Sequence, residues 1–209
     1  MIAAMASFLK QLLCRIRYGE PIIIVSGLPR SGTSMMMKML EAGGLEPLTD
    51  GQRTADEDNP KGYYEFERVK TLDKPGDKNW LGEHKGRVVK IISFLLKDLP
   101  PNLNYRVIFM RRDIQEILAS QNKMLERRGE TGSAGADDQK MAKNYEAHLR
   151  KTDYLMRTLP NFKALHLDYK EALESPADAA RKIREFLGRN LDLQKMSGVA
   201  DRQLYRNRK

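Results

Sequence analysis

Residues 27–34, GLPRSGTS, gather two glycines, an arginine and three hydroxyl side chains within one short turn. Gly27 and Gly32 let backbone approach an anion, and Ser31, Thr33 and Ser34 donate hydroxyl hydrogen bonds. The run before them, IIIV at 22–25, reads as a buried strand, and the pattern after them reads as a helix whose positive N-terminus faces the same anion. The glycines match the spacing of the triphosphate loop G-x-x-x-x-G-K-[ST], but Thr33 stands where its lysine belongs. Without that lysine the loop is poorly suited to hydrolysing a nucleoside triphosphate. The cation is Arg30 instead, and a planar guanidinium beside several N–H groups suits a dense oxyanion that needs no metal. The competing reading of this stretch is a glycine turn with Ser31 capping a helix.

These residues need a scaffold. The chain has 209 residues, 41% hydrophobic, enough for one α/β domain with a sizeable core. Besides 22–25, apolar β-branched runs at 86–96 and 105–112 and the segment FKALHLDY predict further buried strands. Helical patterns lie between them: SMMMKMLEAGG, stopped by Gly43 and Gly44, then DIQEILASQNKMLERR, stopped by Gly129, then QKMAKNYEAHLRKTDYLMRTL. SPADAARKIREFLG adds a helix with Ser175 as N-cap, proline at its first position and Gly188 at its end. Residues 45–62 read as a long polar loop, YYEFERVKTLDK as a short helix, and GETGSAGADD as a mobile lid or an exposed connection. Strands alternating with helices predict a three-layer sandwich around a parallel sheet, with ligands at the carboxyl ends of the strands, where Arg30 and Arg112 can meet.

The single cysteine, Cys14, excludes an internal disulfide framework and points to a reducing compartment, the cytoplasm. The opening MIAAMASFLKQLLCRIRYGE mixes apolar and basic residues at helical spacing and is too short and too charged to span a membrane. It predicts an amphipathic helix over 1–19 packed on the domain, with contact to a membrane surface as the other reading. A net charge of +9 raises the possibility of nucleic acid as a partner, but the basic residues are scattered and only Trp80 and a few tyrosines offer a stacking platform. No nucleic-acid partner is expected.

In GLPRSGTS (27–34) and VIFMRRDIQEILAS (107–120) the sequence resembles the sulfotransferase family, enzymes that use 3′-phosphoadenosine 5′-phosphosulfate (PAPS) and release the bisphosphate PAP. The first stretch resembles the family's 5′-phosphosulfate loop in its arginine form. The second resembles its 3′-phosphate element: an apolar strand, an arginine at its end, and a serine eight residues later on the next helix, here Arg112 and Ser120. Eight residues are about 12 Å of helical rise, and a strand-end arginine curling back lets both groups flank one phosphate. NPKGYYEFE, GRVVKIISFLL, HLDYKEALESPADAARKIREFLG and LYRNR also resemble segments of small bacterial-type members, so the resemblance spans nearly the whole chain as a single domain with a basic tail at 189–209.

The resemblance implies a P-loop-like sulfotransferase fold and transfer of a sulfuryl group from PAPS to a hydroxyl or amine of a small-molecule or peptide acceptor, with no metal. On the matching positions, Arg30 and the N–H groups of Ser31, Gly32, Thr33 and Ser34 hold the 5′-phosphosulfate. Arg112 and Ser120 hold the 3′-phosphate, and Tyr169 lies near the nucleotide. Lys90 matches the strand lysine that meets the transferring group, although a lysine in an apolar run also suits an edge strand or snorkels to solvent. Where cytosolic members carry a histidine two residues later, this chain has Ile92. His84, His148 and His166 match no family position, so Glu65, after the polar loop, is the expected base; a solvated glutamate on a short helix is the alternative. Arg206 and Arg208 are weaker candidates for the 3′-phosphate. Two other functions stay open: a P-loop nucleotide kinase or triphosphatase, disfavoured by Thr33 and by the lack of an aspartate after VIFM, and a non-catalytic polyanion-binding module.

Overall fold

Four apolar runs form one parallel sheet. The computed structural model describes residues 12–51, 64–127, 129 and 136–199. Within them β1 (Ile22–Gly27), β2 (Val88–Lys90), β3 (Tyr105–Arg111) and β4 (Phe162–Asp168) pair in the order β2-β1-β3-β4. Parallel neighbours require long crossovers. These are supplied by α1 (Thr33–Ala42), α2 (Ile114–Arg127) and α3 (Ala136–Thr158), and the chain closes with α4 (Tyr169–Glu174), α5 (Pro176–Leu187) and α6 (Leu193–Gly198).

Strand side chains alternate between two cores, as a period of two demands. Ile23, Val25, Ile108, Met110 and Leu167 pack under Met35, Met36, Met39 and Leu40 of α1 and Ala180 and Ile183 of α5. Ile22, Ile24, Val107 and Phe109 face the other way, onto Leu72, Trp80, Leu81, Leu96 and Met156. The architecture is thus an α/β sandwich in three layers. Trp80, 2% exposed, belongs to the core and offers no stacking surface.

Two expected elements differ. The run 86–96 is not one strand: β2 stops at Lys90, and Ser93–Asp98 wind into a 3-10 helix. The N–H of Ile91 still donates to the Val25 carbonyl (3.0 Å), but Val25 is the last β1 residue in register with β2, and β1 runs on to Gly27 paired with β3 alone. The apolar residues then pack at a three-residue period, with Ser93, Leu96 and Leu99 buried. The expected short helix at 63–74 is, in its described part, not helical from its start. Tyr64, Glu65 and Phe66 are non-helical, and only Glu67–Thr71 form a 3-10 turn. At Ser175 the N-cap position is as expected, but its side chain makes no cap hydrogen bond. Helical residues 12–18 lead into β1, whereas 1–11, most of the polar loop (52–63), most of the small-residue loop (128, 130–135) and the tail with Arg206 and Arg208 lie outside the described residues.

Candidate active site

The register sets the carboxyl ends of the strands side by side: Val25 opposite Lys90, Gly27 opposite Met110, and Arg111 opposite Asp168. Gly27 must be glycine. A Cβ there would stand 2.4 Å from Ser31 Oγ and 2.7 Å from the Met110 carbonyl oxygen, which is fixed in the central strand. The loop then turns back on itself, with the Ser31 N–H donating to the Leu28 carbonyl (3.1 Å). That N–H is therefore engaged inside the loop, which leaves the side-chain hydroxyl as the group Ser31 could offer an anion. Ser31 Oγ is 1% exposed as a residue and has no hydrogen-bond partner. An unsatisfied buried hydroxyl costs about 1–3 kcal/mol. Gly32 stands at the N-cap of α1, in the left-handed region at φ 95°, and no side chain caps the helix. An orphaned hydroxyl at the loop floor and an uncapped helix start are what a bound oxyanion would satisfy.

Arg30 is also left-handed, at φ 69°, and Tyr64, next to Glu65, is at φ 50°. These are the two non-glycine residues with positive φ among those described. Such backbone costs roughly 1–3 kcal/mol and persists only where surrounding contacts enforce it. The contact enforcing Arg30 reaches across the sheet: its Nε donates to Ser120 Oγ on α2 (3.0 Å). Arg112, directly after β3, donates through Nη1 to the carbonyl oxygen of Arg30 (3.1 Å) and through Nε to Glu116 Oε2 (2.9 Å). Its guanidinium sits 4.6 Å from the centre of the Tyr169 ring, and that ring lies against Gly32, where a Cβ would be 2.3 Å from it. Arg30, Gly32, Arg112, Ser120 and Tyr169 therefore form one cluster, although Tyr169 is 6% exposed and acts as its floor.

A second group lies one strand over. Lys90 Nζ stands 3.8 Å from Glu65 Oε1, and Lys70 Nζ stands 3.6 Å from Glu65 Oε2. Glu65 is not on a solvated helix. Its side chain is 19% exposed and Lys90's is 10%. Ile92 is 39% exposed and has no ionisable group with which to act as a base.

Sequence reasoning missed two partners. Glu116 is the buried counter-ion of Arg112, and its i, i+4 spacing on α2 is the signal that would have found it. His148 on α3 bonds Ser93 Oγ through Nε2 (2.8 Å) and stacks on Phe94, with centroids 3.9 Å apart. Burial pushes its imidazole pKa down, and Lys151 adds to the effect. No local signal joins two residues that far apart in sequence.

The pattern of the sulfotransferase domain matches residues 20–209. The chain belongs to the sulfotransferase family. Several solved structures resemble this sulfotransferase domain. The sulfotransferase domain from the curacin biosynthetic pathway is 14% identical (TM-score 0.48), over 85% of this chain and 76% of that one. A sulfotransferase from Alicyclobacillus acidocaldarius is 14% identical (TM-score 0.47), over 83% and 85%. Retinol dehydratase, in complex with androsterone and inactive cofactor PAP, is 18% identical (TM-score 0.48), over 91% and 67%. No curated protein matches the chain. Among the described residues no helix is long and apolar enough to cross a membrane.

Proposed function

We propose that this sulfotransferase takes its sulfuryl group from PAPS and passes it to a hydroxyl or amine of a small-molecule or peptide acceptor. The observation that carries the reading is the bond from Arg30 to Ser120, together with that from Arg112 to the Arg30 carbonyl. The two phosphate motifs, distant in sequence, meet as one cationic cluster at the carboxyl end of the sheet. Thr33 in place of the P-loop lysine weighs against a triphosphatase.

The donor supplies an activated sulfuryl group, whose bond to the 5′-phosphate oxygen breaks as a bond to the acceptor oxygen forms. Arg30, the Ser31 hydroxyl and the start of α1 from Gly32 to Ser34 bind the phosphosulfate and offset the charge left on the 5′-phosphate. Arg112 and Ser120 bind the 3′-phosphate, with Tyr169 holding the Arg112 guanidinium in place. Lys90, beside Glu65, would offset charge on the oxygens of the transferring group. Glu65, kept beside Lys90, takes the acceptor's proton on its carboxylate. Preorganised charge of this kind supplies most of the rate enhancement in transfers of this type.

Calorimetry with PAP, and with ATP and magnesium for comparison, tests the donor assignment. Micromolar PAP binding that disappears in Arg112→Ala, with weak ATP binding, is the expected result. Preference for ATP with magnesium, or binding of neither, would overturn it.

A further inference from the structure

The end of the molecule opposite this site carries a different surface. Residues 12–18 are helical and enter β1 through Gly19, so they lie at the amino ends of the strands. One side of the helix faces the body: Cys14 Sγ is 3.6 Å from Asn104 Oδ1 and 3.5 Å from the Pro160 carbonyl, at the approaches to β3 and β4. The other side is apolar and open, with Leu12, Leu13 and Ile16 exposed by 44%, 66% and 75%. At about 100° per residue these three span an arc of roughly 100°, and Arg15 and Arg17 fall on its two edges, about 60° and 40° outside it. The preceding sequence continues the spacing with Ile2, Met5 and Leu9.

The charge around this stripe has one dominant sign. Lys85 packs against Gly19, and Arg189 reaches the Gly86 carbonyl (3.2 Å). Arg106, near enough to Arg15 and Arg189 to feel their charge, is itself buried and donates to the Phe186 carbonyl, so the cations open to a partner here are Arg15, Arg17 and Lys85, with Arg189 behind them. Glu20, paired with Arg15, offsets one of these charges. An apolar stripe edged by arginines and backed by further cations is the pattern of a helix lying in a lipid interface, its arginines reaching headgroup phosphates.

We infer that the face formed by Leu12, Leu13, Ile16, Arg15 and Arg17 docks on an anionic bilayer surface, leaving the nucleotide end of the sheet pointing away from it. Docking and nucleotide binding then use opposite ends of the molecule and are independent.

The full chain is sedimented with vesicles of phosphatidylcholine alone and of phosphatidylcholine with about one quarter phosphatidylglycerol. Wild type should partition onto the anionic vesicles and little onto the neutral ones. Leu13→Glu with Ile16→Glu should lower that partitioning at least about tenfold, and Arg15→Gln with Arg17→Gln by roughly fivefold per charge. Calorimetric PAP affinity should be unchanged in both variants, and circular dichroism melts should match wild type because all four side chains are exposed. The inference is overturned if wild type stays with the supernatant, if neutral vesicles bind it equally, or if neither variant weakens binding. It is also overturned if wild type is a dimer without lipid that Leu13→Glu with Ile16→Glu converts to monomer, since a second copy would then cover the stripe. The sedimentation, melting and oligomerisation outcomes do not depend on the donor assignment; only the PAP comparison does.

Discussion

Arg112→Ala should damage stability and nucleotide binding by separable amounts. Arg112 and Glu116 have side chains 8% and 9% exposed, with Nε and Oε2 2.9 Å apart. Removing the arginine leaves Glu116 as an uncompensated buried charge, which costs about 3–5 kcal/mol. The lost contact with the Tyr169 ring adds about 0.5–2 kcal/mol. For a chain of this length each kcal/mol lowers the thermal midpoint by roughly 2–4 °C, so the combined loss predicts a fall on the order of 7–28 °C. Adding Glu116→Gln removes the buried charge and should return about 2 kcal/mol in urea titrations. It cannot restore a guanidinium to the 3′-phosphate. PAP affinity should therefore stay depressed by roughly 2–4 kcal/mol, on the order of 30- to 1,000-fold, in the single and double variants alike. If Arg112→Ala unfolds within about 1 kcal/mol of wild type and Glu116→Gln adds nothing, the buried-pair argument fails. If the double variant binds PAP as wild type does, the phosphate role fails.

Glu65→Ala and Lys90→Ala should bind PAP nearly as wild type while transfer of labelled sulfate from PAPS is lost, by at least about 10²-fold for Lys90→Ala; wild-type transfer by Glu65→Ala would remove it as the base. Gly27→Ala should cost about 1–3 kcal/mol or more and weaken PAP binding, because its Cβ meets a backbone oxygen that cannot rotate away. His84, His148 and His166 are all held below the ordinary imidazole pKa, chiefly by burial and further by Arg87, Lys151 and Arg111 respectively. Near pH 6.5 the unfolded chain binds more protons than the folded one, so stability is present above that pH and declines as pH falls below it. Urea midpoints at pH 7.5 and 5.5 should differ in that order, and the reverse order would contradict the burial of these rings.

What could be read from the sequence were features written in short windows. β1, β3 and β4 are apolar runs, α1 ends at two glycines, and the loop's glycines and Arg30 sit within eight positions. The length of β2 could not be read, because Ile91 to Leu96 are as apolar as a strand and change conformation only past the last residues that β2 and β1 share in register. The setting of Glu65 was equally hidden, since its neighbours Lys90 and Lys70 come from different elements. The spacing of Arg112 and Ser120 was visible, but not that Ser120 would hold Arg30 rather than Arg112. The burial of Tyr169 against Gly32 depends on β4 pairing with β3, which no local pattern encodes.

That last dependence has a kinetic meaning. The arginine cluster draws on residues from Gly27 to Tyr169, and its floor follows the last strand in chain order, β4. Parallel pairing of distant segments is slow, since chain closure is paid for before contacts reward it. During synthesis, a chain that has emerged only as far as α2 has both phosphate motifs yet lacks the ring that seats Arg112. On the proposed reading nucleotide affinity should therefore develop late, and PAP present during refolding should act on the finished protein by mass action rather than template its assembly.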